Sequence, residues 1–74
     1  MIVHECFKSW ADLNLILAKE TKYRETRKLH LRDAERWKRR AALLSPDVAA
    51  QDVDDVILWR IIEDVDKIEE ESKR

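Results

Sequence analysis

LLSPDVAAQDVDD, residues Leu43–Asp55, contains the only proline of a 74-residue chain that has no glycine. Pro46 disfavours helical conformation in Ser45 and has no N–H to donate, yet it fits the first position of a new helix. Ser45-Pro46-Asp47 therefore marks a corner, with Ser45 as the cap of the next helix. Asp52, with Asp55 three residues later, is a second cap signal. Val48–Gln51 is then either the first turn of the second helix or part of the connection, and residues 45–52 are assigned to the corner and the start of helix two.

Upstream of the corner nothing interrupts a helix. Alanine, leucine, glutamate, lysine and arginine are abundant, and no sustained strand-type alternation occurs. Residues 10–44 read as one helix, a rod of about 52 Å. Its start has two signals. Ser9 with Asp12 forms the S-x-x-D capping-box pattern, whereas Ile2, Cys6, Trp10, Leu13 and Leu17 hold helical spacing from further upstream. The capping pattern sets the start at Trp10 and leaves residues 1–9 as an arm or an extra turn. Downstream of the corner, residues 53–71 form the second helix.

Apolar spacing sets the expected packing. Leu13, Ile16, Leu17, Tyr23, Ala34, Trp37, Ala41 and Leu44 make one stripe along the first helix. In the second, Val53, Ile57, Leu58, Ile61, Ile62, Val65 and Ile68 cover about half the circumference, with Val56 and Trp59 outside that half. One neighbouring helix cannot cover a face so wide. The expected architecture is all-α, a single domain built as a long antiparallel helical hairpin that dimerises into a four-helix bundle.

The formal charge of −1 conceals strong segregation. Lys19–Arg40 carries ten Lys/Arg against four Asp/Glu, and Asp47–Glu71 carries ten Asp/Glu against two Lys/Arg. Arg24, Lys28, Arg32, Arg36 and Arg40 repeat at i, i+4 and make a slowly winding basic ridge. The ridge admits two readings. In one it is neutralised internally, by Glu20, Glu25, Asp33 and Glu35 and by the acidic helix, in pairs of about 0.2–0.5 kcal/mol each when exposed. In the other it faces nucleic-acid phosphates, with affinity that falls as salt rises. The acidic helix would repel those phosphates, and no nucleic-acid-binding motif is present. The acidic helix itself suits a basic protein surface, with Val56, Trp59, Glu63 and Asp66 as contact residues. Trp59, outside the stripe of the second helix, is expected first to close the dimer interface and second to anchor a foreign partner, because aromatic side chains dominate interface hot spots.

Catalytic patterns are missing from the sequence: there is no Gly-rich phosphate loop, no G-x-S-x-G and no HExxH. His4, Cys6 and His30 match no zinc spacing, so neither metal nor cofactor is expected, and a helical hairpin offers little concavity for a small-molecule substrate. No apolar run is long enough to span a bilayer. A single cysteine cannot make an intrachain disulfide, which makes a reduced, cytoplasmic setting the default. The expected function is that of a small, non-enzymatic regulatory or inhibitory protein–protein interaction module acting as a homodimer. The alternative is an RNA- or DNA-binding dimer using the basic ridge.

Overall fold

In the computed structural model, which describes residues 1–73, four helices succeed one another. They are α1 (Val3–Glu20), α2 (Arg24–Ala42), the one-turn α3 (Pro46–Ala49) and α4 (Asp55–Ser72). The fold is all-α, joined by one isolated antiparallel bridge between Ile2 and Asp52.

The long hairpin with its corner at Pro46 is overturned. The rod expected over residues 10–44 breaks at Thr21–Tyr23, where Thr21 and Tyr23 are extended at ψ 140° and 122°. Thr21 is a residue whose hydroxyl competes locally with helical bonding, and here its Oγ1 accepts the Tyr23 N–H at 3.3 Å. The Arg27 guanidinium donates to the Thr21 carbonyl at 3.2 Å and holds the turn from the next helix. The longest dimension of the Cα trace is 39 Å, too short for a rod of about 52 Å.

The break folds α1 and α2 back on each other as a tight antiparallel pair. Small side chains permit it: Ala11 and Ala18 of α1 and Ala34 of α2 are buried at the contact, letting the backbones approach closely. The buried face of α1 is Val3, Phe7, Ala11 and Ala18. The stripe expected from Leu13, Ile16, Leu17 and Tyr23 lies instead on exposed surface.

The dimeric four-helix bundle falls for a related reason. The broad apolar face of α4 does need more than one neighbour, but both neighbours come from the same chain. Leu58 and Ile62 join Val3, Phe7 and Val53 in one core, against which Cys6, Trp10, Trp37, Ala41, Leu44 and Ile61 pack. α4 thus closes the open end of the α1–α2 pair.

The N-terminal residues form helix rather than an arm. Ser9 lies inside α1, and Ile2 occupies the cap position without a side-chain cap bond. The start is held by the chain opposite: Val3 N–H donates to the Gln51 carbonyl at 3.0 Å and Val53 N–H to the Met1 carbonyl at 2.9 Å. Ser45 caps the single turn of α3 by accepting the Val48 N–H at 3.3 Å. The cap of α4 is Asp54, which accepts the Ile57 N–H at 3.0 Å. Asp52 does not cap; its carboxylate binds the Met1 ammonium.

Candidate interaction surface

Aromatic side chains from three helices meet where α4 crosses the hairpin. Phe7 is fully buried and meets the Trp37 ring edge-on, centroids 5.3 Å apart. Trp10 lies 4.4 Å from Trp37 and 6.4 Å from Trp59. The series runs outward from core to solvent and ends at Trp59, which is 58% exposed. Its neighbour one turn earlier on α4, Val56, is 71% exposed.

On α1 the half-buried Trp10 is succeeded at i+3 and i+7 by Leu13 and Leu17, which share its flank; Leu13 is 50% exposed. Beside Trp10 on the other side is a shallow hollow of about 350 Å³, lined by Met1, Ile2, Glu5, Cys6 and Ser9. Apolar surface therefore continues along α1 and across Trp10 onto α4. Isolated exposed leucines are ordinary, whereas a contiguous apolar patch centred on tryptophan makes this face a candidate contact surface. The sequence pattern singles out Trp59 and Val56 for this surface but misses Trp10, Leu13 and Leu17, because it places Leu13 and Leu17 in the core. Their helical spacing is visible in the sequence; which side of α1 faces inward is not.

The remaining expected contact residues separate. Glu63 is exposed on α4, one turn beyond Trp59. Asp66 turns inward and accepts two bonds from Arg40, Nε to Oδ1 at 2.8 Å and Nη2 to Oδ2 at 3.0 Å. Arg40 is only 8% exposed and its guanidinium lies 4.4 Å from the centroid of the Trp37 ring. Planar, bidentate and stacked, this is a role for which arginine is suited and lysine is not.

Arg40 thereby leaves the basic ridge. Arg39, beside it, pairs with Glu69 at 3.7 Å, and Lys28 pairs with Glu25 at 4.0 Å. A cleft of about 420 Å³ between α2 and α4 places Arg32, Arg36 and Arg39 opposite Asp66, Glu69 and Glu70. Among the described residues Arg24, Arg32 and Arg36 make no ion pair within 4.0 Å, but carboxylates face the last two. The acidic helix partly neutralises the ridge, and does so at its C-terminal end.

Among the described residues no cluster of three or more His, Cys, Asp or Glu could hold a metal ion. Every buried side-chain nitrogen or oxygen there has a hydrogen-bond partner, and no helix is long and apolar enough to cross a membrane. Comparison with protein-family models, curated proteins and solved structures finds no match to this chain.

Proposed function

We propose that this chain is a small non-enzymatic protein-interaction module that binds another protein through the apolar face formed by α1 and α4. The observation that carries this reading is Trp59, which ends an aromatic series rooted in the core and projects into solvent beside Val56. An anchor held from behind by Trp10 loses little conformational freedom on binding, so its burial converts efficiently into affinity. Regulation or inhibition of the partner is the role such a module would serve. The test is quantitative affinity capture from a lysate of the source organism, with the native chain and Trp59→Ala in parallel. Specific partners retained by the first and lost by the second support the reading; identical captured sets overturn it.

A second reading, binding of RNA or DNA by α2, rests on the exposed Arg24, Arg32 and Arg36, which have no ion-pair partner among the described residues. It is the weaker one, because Arg40 is buried against Asp66 and Glu69 and Glu70 face the ridge. Fluorescence anisotropy with labelled duplex DNA and structured RNA decides it: binding that weakens steeply with salt favours the ridge, and flat titrations at low salt exclude it.

A further inference from the structure

The apolar face carries its own information about the partner's chemistry. Asp55 and Glu63 bracket Trp59 on α4, one turn before and one turn after it. On α1, Glu5 lines the hollow beside Trp10, and Glu20 stands at i+7 from Leu13 and i+3 from Leu17. All four carboxylates are exposed, and none makes an ion pair within 4.0 Å among the described residues. The lysines of α1, Lys8 and Lys19, project from the far side of that helix. On α4 the exposed Arg60 follows Trp59 and stands at i+4 from Val56. The aromatic centre is thus edged by these four carboxylates against that one cation, and negative charge predominates.

Resting on the interaction-module reading above, we propose that the occupant of this face is a cationic amphipathic helix of a partner protein. Its apolar side would lie over Trp59, Val56, Trp10 and Leu13, and its Lys or Arg residues would meet Asp55, Glu63, Glu5 and Glu20. Three arguments select this occupant. The α1 strip of Trp10, Leu13 and Leu17 runs along the helix axis, an elongated apolar surface that the single apolar side of a second helix covers by helix-on-helix packing. The charge at the edge attracts cations, speeds their encounter and repels polyanions, which removes nucleic acid from this face. A symmetric contact with a second copy would bring two patches of the same predominantly negative charge together, because a two-fold interface places the same patch on both sides.

The experiment uses two synthetic amphipathic helices of about five turns, with leucines at identical positions and either lysine or glutamate elsewhere. Each is titrated into the isotopically labelled chain at neutral pH, tracking the Trp59 indole N–H by NMR, with light scattering at the same concentrations. The lysine peptide should shift the Trp59 indole and bind roughly tenfold or more tightly than the glutamate peptide. The double variant Glu20→Lys/Glu63→Lys, its helix content verified by circular dichroism, should lose or invert that preference, and Trp59→Ala should weaken the lysine peptide roughly tenfold. Equal affinity of the two peptides at Trp59 would overturn the cationic partner while leaving the interaction face intact. No shift of the Trp59 indole with either peptide would also overturn it, and the lysate capture then decides separately whether the face binds anything. A scattering mass of two chains, with Trp59 already covered, would assign the face to a second copy and overturn it as well.

Discussion

Arg40 belongs by sequence to a repeating basic ridge, and by structure to the boundary of the core. Its two bonds to Asp66 and its position over Trp37 are satisfied together only by a planar guanidinium. Arg40→Lys keeps the charge but gives up the fork and the stacking. It should destabilise the chain by about 1.5–3 kcal/mol, the range for hydrogen bonds to charged groups, in urea unfolding. Arg36→Lys on the exposed ridge should stay within about 0.5 kcal/mol of the native chain in the same measurement. Equal effects would mean that the Arg40–Asp66 pair adds nothing beyond a surface charge.

The elements differ in what holds their ends and faces. α4 begins at Asp54, whose carboxylate accepts the Ile57 N–H, although Asp52 and Asp55 present the same residue type nearby. Asp54→Ala should cost about 1 kcal/mol, as loss of an N-cap does, whereas Asp55→Ala removes no cap bond and should cost less; thermal unfolding of the two variants distinguishes them. α1 and α2 depend instead on small side chains. Ala34 is fully buried between them, so Ala34→Leu must push the helices apart. Over-packing of this kind costs about 1–3 kcal/mol, against a negligible change for Ala42→Leu on the exposed end of α2. If Ala34→Leu leaves the midpoint unchanged, the pair is not closely packed at that level.

The molecule as a whole is tied together where its first residues meet the linker before α4. The Met1 ammonium binds the Asp52 carboxylate and donates to the Val53 carbonyl at 3.1 Å. The hydrogen bond from the ammonium to Asp52 raises its pKa above the ordinary value of 8.0, reinforced by the charges of Asp52 and, more weakly, Asp55. A group whose folded pKa is raised contributes fully below its unfolded value and loses that contribution as pH rises through the folded one. Stability should therefore be insensitive to this group below about pH 8 and decline above it. Asp52→Asn should flatten the alkaline decline, and a pH series of unfolding midpoints checks both. An unchanged slope in the variant would remove Asp52 as the partner that matters.

Composition, the absence of glycine and the apolar spacing were enough to make the chain all-helical, because each is a property of local backbone and side-chain preference. The Ser45-Pro46 boundary was legible for the same reason. The break at Thr21–Tyr23 was not, since neither residue is a strong helix breaker; the turn exists because Ala11, Ala18 and Ala34 let two helices close on each other and Arg27 reaches back to Thr21. Trp59 and Val56 were recognisable as outliers of the α4 stripe, but their continuation through Trp10 onto α1 depended on which face of α1 turned inward. Two apolar flanks of that helix competed for burial. The one carrying Val3, Phe7, Ala11 and Ala18 won because its alanines admit α2 and its larger residues meet α4. That choice, made between elements far apart in sequence, turned Leu13 and Leu17 outward, drew Arg40 onto Asp66, and supplied within one chain the neighbours that α4 required.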